Sequence, residues 1–211
     1  MKILVLHSGG LDSTVCLVKA IREGHDVVSL GIDYGQRHRI EMEYAKCQCL
    51  KYEVPRKIIR LEWDKPQREL PLKRSIQEIK TSVSSAFLPG RNLLFLSIAS
   101  AEAVGIGANE IWAGINCIDY SGYPDCTPSF VSAFQNVLST AVPGGPTLQV
   151  PLLHNTKPEI AALAKNLGIE RSETWSCYQP KIHENGISPC DECDACILHR
   201  LAWEGIPKGS L

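Results

Sequence analysis

Ile3-Leu4-Val5-Leu6-His7-Ser8-Gly9-Gly10-Leu11-Asp12-Ser13-Thr14 is the stretch on which the fold turns. An apolar run reads as a buried strand, two glycines as a tight turn, and Val15, Leu17, Val18 and Ile21 as one stripe of a following helix. Glycine accepts positive φ and lets backbone come close to a ligand. A helix that starts there aims free N–H groups and a partial positive charge at the same point. Ser8, Ser13 and Thr14 add hydroxyl donors. The alternative is a plain corner whose Ser and Asp only cap the helix. The stretch carries neither the Gly-Lys-Ser/Thr ending of Walker A nor the G-x-G-x-x-G dinucleotide fingerprint, so it reads as a separate kind of nucleotide triphosphate loop.

Working outward, strands are predicted at 3–6, 25–34, 57–61, 110–116 and 148–153. Helices are predicted at 13–23, 40–53, 92–104, 129–141 and 158–167, the one at 92–104 apolar nearly all round and therefore central and buried. Strands alternating with helices imply a parallel sheet with right-handed crossovers, an α/β architecture. Residues 63–80 are the least regular part and read as a solvated loop, with a mobile cover over the site or a surface for a polyanion as the minor reading.

The loops that leave the strand ends carry the candidate chemistry, since open α/β sheets bind ligands there. Gly35-Gln36-Arg37-His38-Arg39 follows the second strand. Arg91 and Asn92 stand at the start of the apolar helix, where an anion is welcome. Residues 117–130 follow the fourth strand and offer Asp119, Tyr120, Tyr123 and Asp125, a mixture of rings and carboxylates suited to a planar, donor-rich heterocycle. A rigid omega-type loop is the bland alternative. Thr156 and Lys157 precede a helix with Pro158 in its first turn, so Lys157 is placed either to reach a phosphate or to lie at the surface.

At 211 residues, 44% hydrophobic, the chain suits one domain with a core and a small appendage. A formal net charge of -1 gives no global field for nucleic acid or a membrane surface. The amino-terminal residues read as a strand, not a signal peptide, and no apolar run is long enough for a membrane span. Nine cysteines are many, and Cys177, Cys190, Cys193 and Cys196 are spaced C-x12-C-x2-C-x2-C. Four thiolates at such spacing suit a closed tetrahedral zinc site of structural role, with an iron–sulfur cluster as the competitor. Together with the nucleotide loop they point to a reducing, cytoplasmic setting. Cys16, Cys47 and Cys49 fall in helical patterns and are expected to be buried.

The loop Ser8-Gly9-Gly10-Leu11-Asp12-Ser13-Thr14 resembles that of the PP-loop ATP pyrophosphatases. Tyr34-Gly35-Gln36-Arg37-His38, Pro89-Gly90-Arg91-Asn92, the stretch 116–126 and the cysteine set together resemble the QueC family, the 7-cyano-7-deazaguanine synthases. The resemblance runs nearly end to end. It implies a Rossmann-like fold of the adenine nucleotide alpha hydrolase type, with a five-stranded parallel sheet and helices on both faces. A nucleotide domain would span 1–170 and a zinc-binding segment 171–211.

The activity it implies is conversion of 7-carboxy-7-deazaguanine and ammonia to the nitrile preQ0 with ATP, through adenylated carboxylate and amide, on the way to queuosine and related deazaguanines. It implies Mg2+, one zinc per subunit and a homodimer, with small-molecule substrates and no nucleic-acid partner. His7, Ser8, Gly9, Gly10, Leu11, Asp12, Ser13, Thr14, Val15, Cys16 and Leu17 carry over as the ATP segment, and Cys177, Cys190, Cys193 and Cys196 as zinc ligands. Ser8, Asp12, Ser13, Arg91 and Lys157 are the expected catalytic set. Arg37, Asn116, Asp119, Tyr120, Tyr123 and Asp125 are the expected substrate set. The twelve residues between Cys177 and Cys190 exceed the family's usual gap. A ligase acting on a different carboxylate, or stopping at the amide, is therefore the alternative.

Overall fold

The computed structural model describes residues 1–36, 39–64, 70–118, 123–184 and 186–206. Five strands, β1 (Lys2–Leu6), β2 (Asp26–Asp33), β3 (Arg56–Arg60), β4 (Glu110–Ala113) and β5 (Thr147–Gln149), pair in the order β3-β2-β1-β4-β5, all parallel. Helices α1 (Leu11–Arg22), α2 (Arg39–Lys51), α3 (Ile76–Thr81), α4 (Arg91–Ile106), α5 (Pro128–Ala141), α6 (Lys157–Asn166) and α7 (Asp194–Glu204) surround it. A separate antiparallel hairpin joins β6 (Lys181–His183) to β7 (Gly186–Ser188).

β1 explains the layering. Successive side chains of a strand face opposite ways. Ile3 and Val5 join one core with Val15 and Val18 of α1, Ile160 and Ala164 of α6 and Ala202 of α7. Leu4 joins the other with Leu96 and Ala99 of α4 and Phe134 and Leu138 of α5. Both faces are therefore covered, as a parallel sheet requires. Each fully buried Leu or Ile contributes about 2 kcal/mol.

The strand order places a topological switch point at β1. The chain runs outward from β1 to β3, then crosses back to β4 on the other side of β1. The crevice beyond the carboxyl ends of β1 and β4 is where such sheets bind ligands. Gly114, just past β4, makes that crevice tight: a Cβ there would lie 2.9 Å from Asp12 C and from Ser13 N.

Several sequence expectations are corrected. β4 stops at Ala113 and β5 at Gln149, short of the predicted ends. The residues that leave the ladder are tied instead by Asn116, whose amide donates to the carbonyls of Leu152 (2.8 Å) and Asn155. α4 is not buried all round. Leu96, Ala99, Ser100 and Ala103 make one buried stripe, while Leu93 and Val104 are about half exposed. Cys47 is exposed, unlike Cys16 and Cys49.

The described part of 63–80 is no solvated loop. It contains α3, which starts on a capping box between Ser75 and Glu78. Leu72 bridges to Cys193, Lys73 N–H donates to Glu192 O (2.8 Å), and Arg74 pairs with Asp194 (2.6 Å). The segment is clipped to the cysteine-bearing turn before α7.

Candidate active site at the switch point

Gly9 takes φ +98°, and a Cβ there would strike Glu41 O at 2.2 Å and Ala45 N at 2.7 Å. Only glycine lets the loop lie against α2 this closely. The turn is then cross-braced by its own hydroxyls. Ser13 Oγ donates to Gly10 O (3.1 Å), Thr14 Oγ1 donates to Gly10 O (2.7 Å), and Ser8 Oγ lies 3.1 Å from Ser13 Oγ. Gly10 caps α1 with no side-chain bond. The first N–H groups of α1 therefore open toward the crevice.

Beneath the loop lies a buried polar network. The Arg56 guanidinium donates to Ser29 Oγ (2.7 Å) and to the His7 carbonyl (3.1 Å). Ser29, accepting from arginine, can pass its own proton only onward, to His7 Nδ1 at 3.0 Å. His7 Nε2–H then donates to Gln48 Oε1 (2.8 Å). The Gln48 amide donates to the carbonyls of Gly9 (3.4 Å) and Glu173. The cation at the head of the chain so fixes the neutral Nε2–H tautomer. Burial, with the Arg56 charge, holds the His7 pKa down at about 3. Trp175 N–H reaches the same Gly9 carbonyl (3.2 Å), so the loop is held between α2 and the segment leading to Cys177.

A cavity of about 780 Å³ opens over the loop, and Ser8, Gly10, Leu11, Asp12 and Ser13 line it. Lys157, the first residue of α6, reaches across the crevice and pairs with Asp12 at 2.7 Å. Arg91, Asn116 and Tyr123 also line the cavity. Burial works against the Arg91 charge, and the phenols of Tyr34, Tyr178 and Tyr123 more than offset it, keeping the guanidinium ionised. Tyr123 stacks on Phe87 at 4.6 Å between centroids. Asn116 Oδ1 is buried with no hydrogen-bond partner among the described residues.

Other expected residues are placed elsewhere. Val15, Cys16 and Leu17 are fully buried in α1 and belong to its core face. Gly9 and Thr14 lie behind the cavity wall, while His7 reaches it as part of the floor. Asp125 is buried and turned to α4, where its carboxylate accepts from Asn92 N–H (3.3 Å) and its carbonyl from the Asn92 amide (3.1 Å). It serves the helix end. Arg37, Asp119 and Tyr120 lie outside the described residues.

Trp175 and Ser176, which with Thr174 just ahead of Cys177 are expected to rim the site, line the wall. Residues missed in the sequence that also reach it are Glu41 and Met42 of α2, Arg56 and Arg74. Only Arg74 had a signal that pointed there, the Ser-x-x-Glu capping box beside it, which marks an ordered helix in place of a loop.

The four sulfurs of Cys177, Cys190, Cys193 and Cys196 lie within 4.8 Å of one another, all four residues buried. Backbone N–H groups of Cys190 and Gln179 point at Cys177 Sγ (3.2 and 3.3 Å), and that of Tyr178 at Cys193 Sγ (3.4 Å). Such donors favour thiolates. For ligand bonds of about 2.3 Å a tetrahedral ion needs sulfurs about 3.8 Å apart. Cys190 and Cys196 are already 3.9 Å apart. The cluster fits a metal.

A parallel sheet with a lysine-free glycine loop at its switch point, met by a lysine from a later helix, defines a PP-loop α/β protein. Two solved structures share this fold. The U34-tRNA thiolase NcsA from Methanococcus maripaludis has a TM-score of 0.54 at 16% identity, over 100% of this chain and 68% of that one. A 4-thiouridine synthetase, in an RNA complex with bound ATP, has a TM-score of 0.50 at 18% identity, over 96% and 53%.

Within that class, the family model of the queuosine biosynthesis protein QueC matches residues 2–206, and the chain belongs to this family. The 7-cyano-7-deazaguanine synthase 2 of Rhodopseudomonas palustris is 57% identical over 96% of this chain and 97% of its own. The 7-cyano-7-deazaguanine synthases of Leptospira interrogans (39% identical; 96% and 86%) and Thermoplasma acidophilum (38%; 93% and 85%) are also similar.

Proposed function

We propose that this chain joins ammonia to 7-carboxy-7-deazaguanine with ATP, then dehydrates the amide to the nitrile 7-cyano-7-deazaguanine. The observation that carries this reading is the Asp12–Lys157 pair across the mouth of the glycine loop, in a cavity that Arg91, Asn116 and Tyr123 share. A carboxylate resists amines because oxide is a poor leaving group. Transfer of its oxygen to the α-phosphorus of ATP makes that oxygen the leaving group of AMP.

Ser8, Ser13 and the loop N–H groups would hold the departing pyrophosphate, and Lys157 would neutralise charge on the phosphates. Asp12 is the oxygen donor at the loop that would hold Mg2+, which supplies further charge neutralisation on ATP when bound. Arg91 would face the substrate carboxylate, Tyr123 would stack on the heterocycle, and Asn116 Oδ1 would accept one of its N–H groups. Arg37, Asp119 and Tyr120 complete the substrate set of this proposal.

The cysteine site is read as zinc, with a structural role that ties residues 171–206 onto the nucleotide domain. The same reading includes a homodimer, for which the exposed Leu93 and Val104 of α4 offer apolar surface, and a reducing, cytoplasmic setting. Of the residues between Cys177 and Cys190, 181–183 and 186–188 form the β6–β7 hairpin and do not line the cavity, while Tyr178 does. The alternative of a different carboxylate or a stop at the amide is decided by the product.

Incubation with 7-carboxy-7-deazaguanine, ATP, Mg2+ and ammonia tests the reading by mass. The expected products are AMP, pyrophosphate and the nitrile. AMP without nitrile would overturn it in favour of an amide product. Metal analysis of the same preparation is expected to find about one zinc per chain and no iron.

A further inference from the structure

Four carboxylates line the cavity among the described residues: Asp12, Glu41, Asp64 and Asp194. Asp12 is paired with Lys157 and Asp194 with Arg74. Asp64 is exposed. Glu41 is different. It stands in the first turn of α2, half-buried at the cavity wall, and among the described residues no hydrogen bond or ion pair reaches its carboxylate. Its backbone carbonyl is packed under Gly9, which anchors it beside the glycine loop.

The groups that act on it are few. Burial pushes its pKa up to about 7, with the Arg91 charge from α4 pulling the other way. The phenol of Tyr178 lies near the same two residues, and the phenols of Tyr34 and Tyr123 face Arg91. A carboxyl poised near neutrality, in a cleft, next to a cation that would hold a substrate carboxylate, is fit to receive a proton.

We propose that Glu41 is the general base that takes protons from the reacting nitrogen. This rests on the amide-to-nitrile reading above. In the first step ammonia attacks the carbonyl carbon of the acyl-adenylate. The C–N bond forms, the nitrogen becomes acidic, and Glu41 accepts one proton. The C–O bond to the phosphate breaks with its electron pair, releasing AMP. In the second step the amide oxygen is adenylated. Pyrophosphate leaves, and the nitrogen, still carrying two protons, gives the first to Glu41 to leave the neutral imidate. After that proton has passed to water, the imidate gives its last proton to Glu41, the C≡N bond forms, and the C–O bond breaks with its electron pair to release a second AMP. The first step sheds one proton and the second sheds two, all from the same nitrogen, so one base in one place serves all three, returning each proton to water through the cavity mouth before it takes the next.

The test separates adenylation from nitrogen chemistry. Glu41→Gln keeps the shape and removes the base; Glu41→Asp keeps the base and moves it. Without ammonia, substrate-dependent exchange of labelled pyrophosphate into ATP is expected to stay within about threefold of wild type in Glu41→Gln. Ammonia-dependent turnover is expected to fall about 100-fold or more, within the range typical of lost general-base catalysis. Hydroxylamine, a stronger nucleophile, is expected to restore hydroxamate formation to near the wild-type rate.

At a fixed saturating concentration of free ammonia, the wild-type rate is expected to rise through about pH 7, and this limb to vanish in Glu41→Gln while persisting in Glu41→Asp. Ammonia turnover and the pH limb intact in Glu41→Gln would overturn the proposal, as would loss of pyrophosphate exchange in that variant, which would make Glu41 a binding or structural residue. Wild-type protein that exchanges no pyrophosphate with this substrate would instead overturn the proposed function, and this inference with it.

Discussion

Lys157 and Asp12 come from elements 145 residues apart and meet at 2.7 Å, with side chains only 15% and 22% exposed. A partly desolvated cation held beside the phosphate loop acts in a lower dielectric than water, so its effect on developing charge is large. Lys157→Met is expected to lower the turnover of ATP to AMP by about 100-fold or more. Steady-state kinetics with a thermal unfolding curve checks this, since Tm should change little if the lysine serves the chemistry. An equal loss in Tm would assign it to structure.

What the chain revealed at this scale was uneven. The glycine pair was legible because a strand, a positive φ and a helix start demand it. Lys157 was legible only as an even choice, because spacing along the chain does not say what lies across a crevice. Glu41 and Gln48 left no signal at all. Each is a polar residue in an ordinary helical pattern, and its role depends on which loop packs against that helix.

At the scale of elements, the fold was read from periodicity, and periodicity is a local property. Strands and helices that pack one face on the sheet announced themselves. α3 did not, since six residues carry too little pattern, although its capping box was present. The β6–β7 hairpin also escaped, for Ile182 and Ile187 pair across it while remaining exposed. The ends of β4 and β5 were overestimated because apolar residues continue past the ladder into the site.

The packing between elements is carried by Gln48, whose amide joins His7, the loop carbonyl of Gly9 and the carbonyl of Glu173. Gln48→Leu would leave the His7 ring and two buried carbonyls with fewer partners, at a cost of about 1–3 kcal/mol. Because one of those carbonyls belongs to the loop, KM for ATP is expected to rise about tenfold with a smaller change in kcat. Gln48→Glu, which keeps the acceptor for His7, is expected to recover less of the KM than of the Tm. A KM for ATP that is unchanged in Gln48→Leu, or that recovers together with the Tm in Gln48→Glu, would show that Gln48 does not position the loop.

For the whole molecule, the buried network makes stability depend on pH in a definite sense. His7 has its pKa lowered from 6.5 to about 3 by burial and by Arg56. His199 is lowered to about 4, mainly by burial. Between these values and 6.5 the unfolded chain binds protons that the folded chain refuses, so stability falls as pH drops through that window. Glu41 acts in the opposite direction. Its folded pKa, about 7, exceeds the 4.5 of an ordinary glutamate, so its contribution is full below about 4.5 and is lost as pH rises toward 7.

The histidines therefore set the acid side, and His7 alone accounts for about 3 kcal/mol lost between pH 6.5 and pH 4. His7→Phe lowers Tm near neutrality, because Ser29 and Gln48 lose their partner. Its Tm is nonetheless expected to fall less steeply than wild type as pH is taken from 6.5 to 4. Thermal unfolding of both proteins across that range measures the difference in slope. Parallel curves would mean that His7 is protonated in the folded protein, and that the proton order running from Arg56 to the glycine loop is wrong.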